Sequence, residues 1–156
     1  MLIGVPKEIK NHEYRIGLTP AGVGELVHDG HRVLVQRDGG EPIGFDDAQY
    51  RDAGAEIIAD AEAIFAEAEM IIKVKEPQAA ECRMLRPGQL LFTYLHLAPD
   101  PEQAKALLAS GATCIAYETV TSANRGLPLL APMSEVAGRM AIQAGAHNLE
   151  KAQGGN

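Results

Sequence analysis

The stretch that decides the fold is "LVHDGHRVLVQ", residues 26–36. A helical period runs into a glycine, Gly30, and two residues later an apolar, β-branched run begins. Glycine just past a helix end takes the left-handed conformation that terminates a helix at low cost. An apolar β-branched run following at once marks a strand start. The same order recurs in "YRDAGAEII", residues 50–58, at Gly54, and in "LLASGATCIAY", residues 107–117, at Gly111. Three helix-to-strand passages of one design predict repeated βαβ units.

Outward from these passages, strands are predicted at 2–5, 32–36, 55–58, 69–74, 89–94 and 112–117. Several are continuous apolar runs, as in strands buried on both faces of a parallel sheet. The intervening helices are predicted at 20–29, 47–53, 60–67, 78–85 and 101–110. Thr19-Pro20 and Asp100-Pro101 supply a capping side chain followed by proline in the first turn. Strands alternating with short helices give an α/β fold: a doubly wound, mostly parallel sheet of Rossmann-like or flavodoxin-like type. The last segment reads as one long helix over about 134–152, N-capped by Ser134. Interior glycines cost roughly 1 kcal/mol each in a helix, so Gly138 and Gly145 predict close packing against another element. The expected division is a lobe over 1–133 and a connecting helix with a linker-like end, "QGGN", over 134–156.

The chain has 156 residues, 46% hydrophobic and 22% charged, which is globular composition. A net charge of −7 argues against a nucleic acid or an anionic membrane as the main partner. Small anions stay possible, because a few local cations outweigh a mildly negative surface. Cys82 and Cys114 have no metal-ligand spacing and are too few for a disulfide scaffold, so a reduced, cytoplasmic setting is expected. No His/Asp/Glu set has metal spacing either, and no metal is expected. "MLIGVPKEIKNHEYR" lacks the apolar core of a signal peptide, and no run approaches the ~18 apolar residues of a membrane span. Trp is absent and aromatics are 4%, so the core is expected to be aliphatic and alanine-rich.

Ligands of open parallel sheets bind at the carboxyl ends of the strands. The first strand leads into "PKEIKNHEYRIGLTP", with Lys7, Glu8 and Arg15. Strand 69–74 runs into "KVKEP", with Lys73, Lys75 and Glu76. Strand 89–94 delivers Tyr94 and His96, and strand 112–117 delivers Tyr117, Glu118 and Thr119. Two cations, a histidine and a carboxylate at one edge suit a small carboxylate substrate whose chemistry needs proton transfer. Arg15 offers a planar fork matched to a carboxylate, Lys75 a point charge, and His96 an acid/base of a type that titrates near ~6.5. Taken singly, Arg15 and Lys75 also read as solvated loop cations, and His96 as a buried structural histidine. The glycine-rich loop "RDGGEPIGF" after the second strand could approach a phosphate, but no GxGxxG dinucleotide fingerprint occurs in the chain.

"IGVPKEIKNHEYRIGLTPAGV" (3–23), "AEMIIKVKEP" (68–77), "LFTYLHLAPD" (91–100), "CIAYETV" (114–120) and "LPLLAPMSEVAGRMAIQAGAHNLEK" (127–151) together resemble the N-terminal part of the bacterial alanine dehydrogenases. The wider family includes the proton-translocating nicotinamide nucleotide transhydrogenases. The "KVKEP" lysine and the "YLH" histidine together favour the dehydrogenase side. The resemblance implies NAD-dependent oxidative deamination of L-alanine to pyruvate and ammonia, and the reverse amination. It implies His96 as acid/base, Arg15 and Lys75 on the substrate carboxylate and carbonyl, Tyr94, Glu118 and Met133 lining or supporting the pocket, and Ser134 near the NAD pyrophosphate. It also implies a homohexamer. Glu41 and Pro42 interrupt a loop that is richer in glycine in the family. In the family the long helix leads into a Rossmann domain that holds NAD and a second catalytic carboxylate, and a returning segment then completes the substrate domain. The chain is therefore expected to be a truncated lobe, inactive alone. The alternatives are a transhydrogenase-like nucleotide domain and a non-catalytic interaction lobe.

Overall fold

The computed structural model describes residues 1–155. Its strands are β1 (Leu2–Val5), β2 (Arg32–Gln36), β3 (Glu56–Ile58), β4 (Met70–Ile72), β5 (Leu90–Thr93) and β6 (Thr113–Ala116). Its α-helices are α1 (Pro20–His28), α2 (Asp47–Asp52), α3 (Ala61–Glu67), α4 (Ala79–Cys82), α5 (Pro101–Ser110) and α6 (Ala131–Asn148). All six strands pair in parallel, in the order β3-β2-β1-β4-β5-β6. The α/β expectation holds. The chain forms two compact units, one over Met1–Ala116 that contains the whole sheet and a second from Tyr117 onward.

The local signals act as their chemistry dictates. The Thr19 hydroxyl accepts from Gly22 N at 3.3 Å and the Asp100 carboxylate from Gln103 N at 3.0 Å, each followed by proline in the first turn. Gly30, Gly54 and Gly111 have φ of 82°, 97° and 69°, the left-handed region that ends helices.

Alternation along the strands separates two cores. Ile3, Val5, Val33, Val35 and Ile72 pack with Val23 of α1 and Tyr50 of α2 on one face. Leu34, Ile71 and Leu91 pack with Ile64 and Phe65 of α3, Cys82 of α4 and Leu107 of α5 on the other. The crossover helix α3 sits so close to β1 that a Cβ on Gly4 would lie 2.5 Å from Ile64 Cγ2 and 2.8 Å from Ala68 Cβ. Strand order reverses between β1 and β4, so the crevice at their carboxyl ends is the topological switch point, where such sheets bind ligands.

Several elements are shorter than the sequence predicts. β4 stops at Ile72 because the next amide on its β1 side, Val74 N, donates to the Glu8 carboxylate at 2.6 Å and not to a strand carbonyl. α4 occupies only Ala79–Cys82, opened by a capping box between Gln78 and Glu81.

In the second unit, α6 begins three residues before the predicted start. Pro132, preorganised for a first turn, precedes Ser134, whose hydroxyl donates to Leu130 O at 3.4 Å from inside the helix. Ser134 is therefore not the N-cap. The close packing expected at Gly138 and Gly145 is not found either: among the described residues a Cβ at either position would meet nothing within 4 Å. No helix among the described residues is long and apolar enough to cross a membrane.

Candidate functional site at the carboxyl edge of the sheet

The site starts from the excursion between β1 and α1. The chain leaves β1 at Val5 and returns so that Lys7 and Ile16 form an antiparallel bridge. Gly17 then lies against the end of β4, where a Cβ would sit 2.5 Å from Ile72 O. Only glycine lets the returning backbone come this close, and the contact brings residues 13–16 to the switch point. On the neighbouring strand, the glycine-rich turn after β2 is used for packing. A Cβ on Gly39 would meet Ile16 Cδ1 at 2.8 Å, and Lys7 N donates to the Gln36 side chain at 2.9 Å.

Arg15 is set by Glu13. Arg15 Nε donates to Glu13 Oε1 at 2.8 Å, a terminal nitrogen donates to Oε2 at 2.6 Å, and the Arg15 amide donates to Oε1 at 2.9 Å. The Glu13 side chain is 8% exposed and the Arg15 side chain 45%, so a buried carboxylate holds a half-exposed guanidinium. The Arg15 hydrogen bond keeps the Glu13 carboxyl below the ordinary carboxylate range against the opposing effect of burial, and Lys75 adds to the pull. Reciprocally, the Glu13 hydrogen bond raises Arg15, with Glu8 and Tyr94 adding to it. These couplings gather Arg15, Glu13, Lys75, Glu8 and Tyr94 into one electrostatic neighbourhood.

Lys75 comes off the end of β4 with its side chain 31% exposed. Its nearest carboxylate oxygen is Glu76 Oε2 at 3.9 Å, beyond hydrogen-bond reach. Burial pushes the Glu76 carboxyl up, but the Lys10 ammonium, hydrogen-bonded to it, brings it below its ordinary value, and Lys75 contributes.

β5 continues to this edge through Thr93 and Tyr94, whose hydroxyl and amide bond to Lys75 O at 2.8 Å and Val74 O at 3.2 Å. Leu95 is buried, and its carbonyl accepts from Gln103 Nε2 at 2.9 Å. His96 follows with φ of 46°, a left-handed backbone that turns the chain out of the sheet, and it is exposed. In this structure it is not a buried histidine. Such backbone outliers in non-glycine residues cluster at functional sites. Of the other four histidines, His31 bonds the N-terminal amine at 3.1 Å, His12 bonds Tyr14, His28 ends α1, and His147 of α6 faces Glu150.

Arg15, Lys75, Tyr94 and His96 thus share one edge of the first unit. The other three predicted residues belong to the second unit. Glu118 lies in the 3-10 turn Tyr117–Thr119, and Met133 and Ser134 in the first turns of α6.

Beneath Lys75 lies a cluster to which the sequence reading assigned no role. Lys73 is fully buried, and its ammonium donates to Glu8 Oε2 at 3.0 Å and pairs with Glu81 Oε1 at 2.7 Å. The two carboxylate side chains are 2% and 3% exposed. Strand parity carried a signal for it, since Lys73 follows Ile71 by two and so continues the face that is buried under α3 and α4. Glu13 left a weaker one, a carboxylate two residues before the candidate arginine.

A family model described as "Alanine dehydrogenase/PNT, N-terminal domain" matches residues 4–137. The alanine dehydrogenase of Halomonas elongata is 64% identical over 155 residues, which cover 99% of this chain and 42% of that protein. That of Bacillus subtilis is 59% identical over 155 residues, covering 99% and 40%. A solved L-alanine dehydrogenase superposes with a TM-score of 0.91 at 51% identity, over 100% of this chain and 43% of its own. A transhydrogenase from Sinorhizobium meliloti gives 0.71 at 26% identity, over 76% and 35%. The chain spans about two fifths of the length of the curated relatives it matches. By a match that runs through β1, β4, β5 and their polar ends, the chain belongs to the alanine dehydrogenase/PNT family, as its N-terminal domain.

Proposed function

We propose that this chain is the substrate-binding lobe of an NAD-dependent L-alanine dehydrogenase, a cytoplasmic homohexameric enzyme that interconverts L-alanine with pyruvate and ammonia. The observation that carries the reading is that Arg15 and Lys75 both act on Glu13 at the switch point, with His96 turned out of the sheet after the neighbouring strand β5. An ammonium 3.9 Å from its nearest carboxylate and a guanidinium preset by Glu13 suit a small 2-oxo or 2-amino carboxylate.

In this reading Arg15 and Lys75 bind the substrate carboxylate and polarise the carbonyl oxygen. His96 gives and takes the protons that accompany water and ammonia exchange at that carbon. Tyr94, Glu118 and Met133 support the pocket. The cofactor supplies the hydride acceptor when bound. Of its site this chain offers Ser134, whose hydroxyl faces Leu130 O, and no dinucleotide fingerprint. The residues present do not make a dinucleotide site on their own, and the chain alone should turn over no alanine.

Titration of the chain with pyruvate, followed by NMR or calorimetry, tests the reading. Saturable binding is expected, weakened about tenfold or more by Lys75→Ala and by Arg15→Ala, the scale of a lost charged hydrogen bond. No binding, or binding indifferent to both substitutions, overturns it. The likeness to a transhydrogenase supports a second reading, a lobe that acts on dinucleotides, and dinucleotide binding without pyruvate binding would favour that one.

A further inference from the structure

We propose that buried Glu8, seated on Lys73 and Glu81, is the positioning residue for Lys75. It fixes the backbone from which the Lys75 ammonium reaches a substrate. The inference rests on the substrate-site reading above and deepens it.

The need for such a device follows from where Lys75 stands. A lysine side chain is long and freely rotating, so its ammonium is placed only as well as its backbone is. β4 ends at Ile72, and no ladder on the β1 side holds residues 73–76. Glu8 takes over that work. Its Oε1 accepts from Val74 N at 2.6 Å and from Lys75 N at 3.3 Å. From the opposite side the Thr93 hydroxyl donates to Lys75 O at 2.8 Å. Both backbone polar groups of Lys75 are thus tied to side chains of buried residues on neighbouring segments.

Glu8 itself stands on a loop and needs fixing. Its Oε2 accepts from Lys73 Nζ, which also pairs with Glu81, and the second Glu81 oxygen accepts from Gln78 N at 2.7 Å. A closed ring runs from Glu8 through Lys73, Glu81 and Gln78 back along the chain to Lys75. The charges support this assignment. Two buried carboxylates share one ammonium, and the excess negative charge is met by the amides of residues 74, 75 and 78, which flank Lys75. A cluster serving stability alone has no need of this arrangement, since apolar side chains of similar volume serve as well or better.

The test is a double-mutant cycle on pyruvate affinity, with Glu8→Gln, Lys75→Ala and the pair. A glutamine can accept from the Val74 and Lys75 amides or from the Lys73 ammonium, not from both, so it loosens the ring at nearly constant volume. Glu8→Gln is expected to weaken binding by about tenfold in the unsubstituted background and to have no further effect once Lys75 is alanine, the non-additivity of residues that act as a unit. The same factor in both backgrounds, or no effect in either, overturns the positioning role. If Glu8→Gln does not fold, as judged by circular dichroism, Thr93→Val takes its place in the cycle, and Thr93→Ser should restore affinity. Thr93→Val without effect also overturns the proposal. Failure of the unsubstituted chain to bind pyruvate would fall on the substrate-site reading first, and on this inference with it.

Discussion

Replacing Lys73 by methionine removes the ammonium that two buried carboxylates share while keeping a side chain of similar length. The three side chains are 0%, 2% and 3% exposed, and the contacts to be lost are 3.0 and 2.7 Å. Water cannot reach the carboxylates to replace the ammonium. Breaking a buried pair in this way costs roughly 3–5 kcal/mol, because an uncompensated charge stays behind. Domains of this kind have about 5–15 kcal/mol in total, so Lys73→Met should leave the chain folded but marginal. Its Tm should fall by roughly 10 °C, at about 2–4 °C per kcal/mol for a chain of this size. Urea unfolding followed by far-ultraviolet circular dichroism reads the change directly. Lys73→Met combined with Glu81→Gln should regain most of the loss, since one carboxylate is then neutral and Glu8 still accepts from Val74 N. If Lys73→Met unfolds within about 1 kcal/mol of the unsubstituted chain, the range of an exposed pair, the reasoning about burial fails.

Three further outcomes are expected. The Glu13 carboxyl is depressed by Arg15, so its contribution is present above the ordinary value of 4.5 and is lost as pH falls through its lower folded value. Acid titration of pyruvate affinity should therefore fall off below the ordinary carboxylate range, and Glu13→Gln should abolish that step. Burial raises the Tyr50 phenol to about 12, and its hydroxyl donates to Leu18 O at 2.9 Å. Stability tied to Tyr50 is then full below pH 10 and lost between 10 and 12, and an ultraviolet absorbance titration should show a late-ionising component that Tyr50→Phe removes. Gly17→Ala would place a Cβ 2.5 Å from Ile72 O, and it should destabilise the chain by about 1–3 kcal/mol and weaken pyruvate binding by lifting the Arg15 segment off β4.

Much of the sheet was legible because its signals are local. The Gly30, Gly54 and Gly111 helix ends, and the Thr19 and Asp100 caps, need only neighbouring residues to act. The start of α6 was misread because two local signals compete. Ser134 before Glu135 reads as a cap, but Pro132 had already set the helix going. At the site, the sequence pointed to Lys75 at a strand end but did not show how differently Lys73 is placed. They are the same residue type two positions apart. One is fully buried beneath α4 and the other is part-exposed at the edge, and the difference lies in Glu8, more than sixty residues away. His96 was legible as an edge residue. Its exposure was not, because it depends on the left-handed turn that Leu95 and Gln103 anchor.

The reversal of strand order has a consequence for when the site comes into being. Arg15 and Glu8 leave the first strand, Lys73 and Lys75 the fourth, and 65 residues separate Glu8 from Lys73. Chain closure over that span must precede any contact between the two groups, and such distant pairings form late and slowly. During synthesis the first three strands and their helices emerge with the arginine half of the site alone. An anion that needs both halves can engage only molecules in which β1 and β4 have already zipped together. Its bound fraction then counts completed folds, and by mass action it holds them complete.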